Sequence, residues 1–442
     1  MKIPEAPPIP KKSDIDKALK LMRDNTHPEI LKKINDDYLY WSDLKYKDYV
    51  SGLDINTIWH LSKINRRFNA FGIQIGKEKE FRFEYNLTTQ IQQKLHEFDL
   101  NLGGRLEGKK IIPREDKMKY LLSSIMEEAI ASSQIEGAVT TRKVAKEMLR
   151  AERKPRNRSE QMILNNYYTI KRIGEIREKK LNIDLILEIH KLITNKTLDN
   201  EEDEGRFRLT NDVNVVDGIT GEVVHHPPDF KSLNFLMDNF CQFANDTNNE
   251  KFIHPIIRAS ILHFLIGYIH PFADGNGRTA RAIFYWYLLS KGYWLIEYMS
   301  ISRLIIKSKT QYAKAYLYSE LDSNDITYFI KYKIRTIEQA FESLKDYISR
   351  KIKEKSKLYD FRKIKRVNDR QLQLIRIFLD DPEKIMTIKE VQNRFGIVYQ
   401  TARTDLIGLV DSELLETSIT GKKKITYFRS EKFDKVLKDL CK

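Results

Sequence analysis

The twelve residues His270-Pro271-Phe272-Ala273-Asp274-Gly275-Asn276-Gly277-Arg278-Thr279-Ala280-Arg281 gather several chemically capable groups in one short stretch. A histidine can serve as a general base. A carboxylate four residues on is a natural magnesium ligand when phosphates lie beside it. Gly275-Asn276-Gly277 offers a backbone free of side-chain crowding, and it leads directly into a helical pattern. Exposed amides at that helix start make an anion site, and the helix dipole favours negative charge there. Arg278 and Arg281 are three residues apart and share one face beside it. Base, metal ligand, amide cradle and two cations together describe a site that handles phosphate. The competing explanation is a tight turn between two helices with a buried, hydrogen-bonded histidine. A lone His or a lone Gly-Asn-Gly would favour that turn. Six polar or glycine positions at useful spacing favour the phosphate site.

The elements that must position these groups are largely helical. Apolar periodicity runs from Pro255 to His270, where Pro271 stops it, and a further helix runs from near Asn276 to Lys291. Upstream, residues 114–151 form a strong helical zone with Leu121, Leu122, Ile125, Met126 and Ile130 at three- and four-residue spacing. It is interrupted at Ser132-Ser133-Gln134-Ile135-Glu136-Gly137, with Gly137 as the stop. Helices are expected at Ser159–Lys179, Leu181–Thr197, Asp229–Asn245, Ser302–Leu321 and Thr327–Lys355. Residues 213–224 differ: they are β-branched and broken by Asp217-Gly218, which reads as a hairpin. His225, His226 and Asp229 follow it and are set aside as metal ligands. The first dozen residues carry four prolines and read as an extended arm, and Pro28 to Leu100 reads as helical with core aromatics.

The chain has 442 residues and a net charge of +15, which favours phosphate-bearing partners. Cys241 and Cys441 alone cannot build a disulfide framework or a cysteine zinc site, so a reducing, cytoplasmic setting is expected. The N-terminus has no apolar signal core, and no uninterrupted apolar window of about 18 residues is present, so no membrane partner is expected. From Lys351 onward there are 22 Lys/Arg against 14 Asp/Glu, a net of +8. That segment reads as helices at Arg370–Leu379, Thr387–Phe395 and Tyr399–Ser412, then a basic hairpin, which is the order of a winged helix-turn-helix. Gln400, Thr401, Arg403 and Thr404 open the recognition helix, and Lys422-Lys423-Lys424 forms the wing. Contact with DNA, contact with protein and a merely solvated face all remain open.

The twelve-residue stretch matches every fixed position of the Fic family signature, HPFx[DE]GNGRxxR, with Ala273, Thr279 and Ala280 in the variable places. His254-Pro255-Ile256-Ile257-Arg258-Ala259 resembles the family's entry to the preceding helix. The pattern around Gly205, Phe207, Arg208 and Thr210 resembles the region before its hairpin. The resemblance covers roughly residues 101–345. It implies transfer of AMP from ATP to a Ser, Thr or Tyr hydroxyl of a protein, with pyrophosphate leaving.

By the same resemblance, His270 takes the hydroxyl proton and Asp274 holds Mg²⁺. Gly275, Asn276 and Gly277 cradle the α-phosphate, Arg278 and Arg281 bind the β- and γ-phosphates, and Tyr312 lies near the adenine. The hairpin resembles the family's flap, so Val215, Val216, Asp217, Gly218 and Ile219 are expected to pair with the target backbone. Ser132 to Gly137 fits the family's inhibitory pattern [ST]xxxE[GN], with Ser132 at its head and Glu136 pairing with Arg281. The expected fold is mainly α: an N-terminal arm and helical region (1–100), a helical Fic core with its flap (101–345), a basic linker (346–367) and a C-terminal winged helix (368–442). The expected function is self-inhibited adenylyl transfer to an unidentified protein target, the chain itself included. Removal of AMP and a nucleotide-sensing DNA-binding regulator are the alternatives. A homodimer that masks or frees the Glu136 helix is compatible with this scheme.

Overall fold

The computed structural model describes residues 3–24, 28–47, 53–103, 117–218, 220–246, 251–357, 367–381, 384–420 and 424–440. The chain divides into two compact units. One comprises Met1–Gly108, Glu127–Val139 and Asn157–Ala340, and the other Lys109–Met126, Thr140–Arg156 and Phe341–Lys442. The described chain is mainly α, with three separate two-stranded antiparallel sheets among these residues.

At the centre of the first unit two helices pack on each other, Pro255–Ile269 and Asn276–Ser290. The first is apolar all round, because neighbours cover every face; Ile256, Leu262, Phe264, Leu265 and Ile266 are wholly buried. His254 caps it by accepting from Ile256 N at 3.2 Å, and Pro255 takes the first helical position, where no N–H is needed. Helices Arg158–Ile176, Ile183–Thr194 and Leu233–Asn245 complete the core around this pair. The helix expected over Ser302–Leu321 is instead two, Ile301–Lys307 and Lys309–Leu321. They meet at Ser308, whose hydroxyl turns back to Leu304 O at 2.8 Å and competes with the backbone.

The N-terminal region also departs from an all-helical expectation. Between Ile55–Phe68 and Thr89–Leu102 lies a hairpin, Phe71–Gln74 with Arg82–Tyr85. Its second strand alternates inward Phe83 and Tyr85 with outward Arg82, a period of two. Near the N-terminus, Glu5 O accepts from Tyr40 Oη at 2.9 Å. A helix, Lys12–Arg23, follows.

In the second unit, helices Asp369–Asp380, Ile388–Phe395 and Tyr399–Asp411 precede the hairpin Leu415–Thr420 with Lys424–Arg429. Leu374, Phe378, Val391, Leu406 and Leu414 share one core with Phe433 of a closing helix, Phe433–Leu440. Two capping boxes, at Asn368 and Thr387, fix where the first two helices begin. Lys422 and Lys423 lie outside the described residues; Lys424 opens the second strand.

Candidate active site

The loop between the two central helices is held in one conformation by its own side chains. His270 caps the first helix in the left-handed region, φ 49°. Gly275 precedes the second with φ 86°, a conformation that side chains resist. Asn276 reaches back across the turn: Oδ1 accepts from Phe272 N at 3.0 Å and Nδ2 donates to Phe272 O at 2.8 Å. Its side chain therefore closes the loop and leaves the Gly275–Gly277 backbone at the helix start unobstructed by its own bulk.

His270 Nδ1 faces Gly267 O at 3.2 Å. A carbonyl accepts only, so Nδ1 carries the proton and Nε2 keeps its lone pair. Burial lowers the pKa to about 4, and the positive charges of His225 and Arg208 act in the same direction. The imidazole is neutral at pH 7 and able to accept a proton. Arg208 braces it, donating Nε to His270 O at 3.0 Å and its backbone N–H to Pro271 O at 2.9 Å.

The two arginines sit differently. Arg278 is buried, donates Nη1 to Ile193 O at 3.0 Å and faces Asp274 Oδ2 at 3.6 Å. Arg281 donates Nε to Ser132 Oγ at 2.9 Å, and Nη2 to Ser132 O at 3.0 Å and to Glu136 Oε1 at 2.9 Å. Its Nη1 is buried with no hydrogen-bond partner among the described residues. Burial pulls the Arg281 pKa down, but Glu136, with Tyr312 and Glu128, more than offsets it and the net shift is upward. A methyl on Gly277 would overlap Glu136 Oε1 and stand 3.3 Å from Arg281 Nη1. Carboxylate, guanidinium and the bare glycine backbone thus share one pocket.

Residues 180–288 of the sequence match the model of the Fic/DOC family. The chain carries a Fic domain. A protein adenylyltransferase Fic of Nematostella vectensis is 29% identical over 167 residues, which are 38% of this chain and 35% of that protein. One of Drosophila melanogaster is 30% identical over 119 residues, 27% and 22% of the two chains. The matched stretch thus spans about a third or less of these relatives. Among solved structures, a Fic family protein of Desulfovibrio desulfuricans G20 aligns with TM-score 0.48 and 19% identity over 78% of this chain and 98% of that one. Fic-1 of C. elegans (residues 134–508) aligns with TM-score 0.44 and 17% identity over 78% and 88%.

Within the Fic domain the hairpin is shorter than its sequence pattern: among the described residues Val215–Val216 pairs with Val223–His225, with a register shift between Val215 and Val216. Asp217 closes the turn, its N–H donating to Glu222 O at 2.8 Å and its Oδ1 accepting from Thr220 N at 2.9 Å. Gly218 follows in the turn, and Ile219 lies outside the described residues. Val216 is half exposed. His225 is no metal ligand in this arrangement; it ties the strand down, with Nδ1 2.7 Å from Glu320 Oε2 and Nε2 2.7 Å from Tyr268 O. Among the described residues no cluster of three or more His, Cys, Asp or Glu could hold a metal.

Ser132, Glu136 and Tyr312 lie outside the matched span of the Fic domain. Glu128 and Ser132 lie four residues apart on one face of the helix Lys117–Ile135, and Glu136, four further on, sits one residue past its end. Glu128 is buried and accepts from Ser302 N at 2.9 Å and Ser300 Oγ at 3.0 Å. It anchors the helix whose end carries Glu136, and sequence reading passed it over. Tyr312 Oη meets His263 Nε2 at 2.9 Å, and burial pushes its pKa up to about 12, with Arg281 pulling the other way. His190 and Glu128 are the residues that sequence reading did not single out. His190 sits among the apolar residues Ile186, Ile189 and Ile193, where a core role is the ordinary expectation, and Glu128 has no partner close to it in sequence.

Proposed function

We propose that this chain is a self-inhibited protein adenylyltransferase, moving AMP from ATP to a Ser, Thr or Tyr hydroxyl of a protein target. The single observation that carries the reading is the Glu136 carboxylate seated on Arg281 against the bare backbone of Gly277. A phosphate tail needs the same guanidinium and the same space. The orphan Arg281 Nη1 is a buried donor awaiting an acceptor, as a phosphate oxygen would supply.

In this reading His270 Nε2 takes the proton of the target hydroxyl. The hydroxyl oxygen attacks the α-phosphorus, the bond from that phosphorus to the bridging oxygen breaks, and pyrophosphate leaves with the electron pair. Gly275, Asn276 and Gly277 hold the α-phosphate at the helix N-terminus. Arg278 and Arg281 balance the β- and γ-phosphates, and this fixed electrostatic field is the largest catalytic term. Tyr312 flanks the base. Val215, Val216, Asp217, Gly218 and Ile219 align the target as an added strand.

Asp274 suits a hard divalent cation. It is an oxygen donor, its side chain is about half exposed, and it lies beside the anion site. Magnesium bound there would supply charge neutralisation to the phosphates. The C-terminal module reads as a winged helix whose partner is DNA or protein.

Labelled ATP and magnesium, incubated with the full chain bearing Glu136→Gly and a mixture of soluble proteins, test the reading. Mass spectrometry should find AMP on a hydroxyl side chain. Absence of any adenylylated product sinks it. The same carboxylate beside Gly277 could instead orient water for removal of AMP; release of AMP from a modified protein by the unaltered chain marks that outcome.

A further inference from the structure

His190 lies on the helix Ile183–Thr194, directly behind the signature loop, and is wholly buried. Its two ring nitrogens have fixed and opposite roles. Nδ1 accepts from Gly205 N at 3.1 Å, so that nitrogen carries no proton. Nε2 therefore carries it and donates to Asp274 O at 2.9 Å. The ring stacks on Phe272 with centroids 3.7 Å apart and planes 3° from parallel. A methyl on Gly275 would stand 3.1 Å from Nε2 and 2.8 Å from Thr194 Cγ2, so only glycine lets the loop come this close. Almost one turn further along the same helix, Ile193 O takes Arg278 Nη1. One helix thus registers both members of the Asp274–Arg278 pair.

We propose that His190 is a positioning residue: by donating Nε2–H to the Asp274 carbonyl, it sets how the Asp274 carboxylate faces the phosphate site, and so governs the metal-dependent part of ATP binding. This rests on the reading of the loop as a magnesium–ATP site. A donor to the backbone carbonyl of a ligating residue fixes where that residue's carboxylate stands, and losing an outer-shell donor typically costs roughly 10–100-fold in affinity or activity. Stacking alone is the rival explanation, and the two make opposite rankings of variants. His190→Phe keeps the stack on Phe272 and loses both hydrogen bonds. His190→Gln loses the stack and can keep an amide donor near the position of Nε2.

The test uses the full chain carrying Glu136→Gly as parent, with ATP titrated calorimetrically in magnesium and again in EDTA. In the parent, magnesium should strengthen ATP binding. His190→Phe should lose roughly 10–100-fold of that gain, with binding in EDTA unchanged, while His190→Gln keeps most of it. A Phe variant equal to the parent overturns the proposal, as does a folded Gln variant that loses the gain. So does a parent that binds ATP no better with magnesium. If the Phe variant does not fold, the Gln variant still decides. Because calorimetry reads binding, a parent that binds magnesium–ATP yet transfers no AMP refutes the adenylyltransferase reading and leaves the ranking to judge His190.

Discussion

Glu136 Oε1 and Arg281 Nη2 lie 2.9 Å apart, joining residues 145 positions distant in the chain. Ser132 adds two further acceptors to the same guanidinium, so one helical turn supplies three of the hydrogen bonds that Arg281 makes. The side chain of Arg281 is almost entirely buried and that of Glu136 is about one-quarter exposed. A pair this desolvated is costly to leave half-made, because the remaining charge is buried without its counterion.

Glu136→Gly should therefore raise AMP transfer at least tenfold, equivalent to about 1.4 kcal/mol of released inhibition. It should also lower stability, by about 1–3 kcal/mol after allowance for solvent at the carboxylate. Labelled-ATP incorporation and thermal melting measure the two effects. Unchanged incorporation with a lowered melting temperature would leave Glu136 a structural residue only.

The same geometry predicts non-additivity at Gly277. A methyl there meets the Glu136 carboxylate, whose carbon would lie at 3.0 Å. Gly277→Ala should destabilise the unaltered chain and do so far less when Glu136→Gly is already present. A double-mutant cycle in melting should give a coupling of about 0.5–3 kcal/mol. Additive effects would show that the carboxylate does not occupy this space in solution.

In the proposed reaction His270 sets the acid limit. Its folded pKa is about 4, held down first by burial, so the base stays neutral well below pH 6.5. The turnover of Glu136→Gly should stay flat from pH 7 to about 5.5 and fall only on approach to 4. A half-drop centred near 6.5 would contradict the site's geometry. His270→Ala should reduce transfer by about 10²–10⁴-fold while leaving ATP affinity, measured calorimetrically, nearly unchanged.

The signature loop was legible in the sequence because all its chemical groups fall within twelve residues, so spacing alone puts them together. Glu136 was legible only through resemblance: nothing local in Ser132-Ser133-Gln134-Ile135-Glu136-Gly137 announces a partner 145 residues away. His190 was not legible at all. It is 84 residues from Asp274, and its neighbours Leu185, Ile186, Ile189 and Ile193 make its helix read as plain core. The hairpin at Phe71–Tyr85 was missed because four-residue strands between two helices carry too few alternations to outweigh helical periodicity on either side. Long-range closure by polar side chains, rather than the identity of local elements, is what sequence pattern does not reveal.

Stability against pH should show a dome whose two sides have different owners. Burial pulls the His225 pKa down, but the Glu320 carboxylate and the Tyr268 carbonyl more than offset it, and the net shift is upward. Folded His225 therefore keeps a proton that the unfolded chain releases at about 6.5. Its stabilisation is complete below 6.5 and is lost as pH rises through the folded pKa. His270 and His190 behave oppositely: burial holds both near 4, so below 6.5 the unfolded chain takes up protons that the folded chain refuses. Their contribution is present above 6.5 and is lost as pH falls toward 4. Glu320→Gln removes the partner that raises His225; the burial that holds the other two down stays in place, although a neutral His225 no longer adds to the lowering at His270. Melting temperatures across pH 5 to 8.5 should therefore lose their alkaline decline in that variant and keep their acid decline. An alkaline limb that persists would mean that His225 is not charged at the foot of the hairpin, and that the strand Val223–His225 is held there by its carbonyl contact alone.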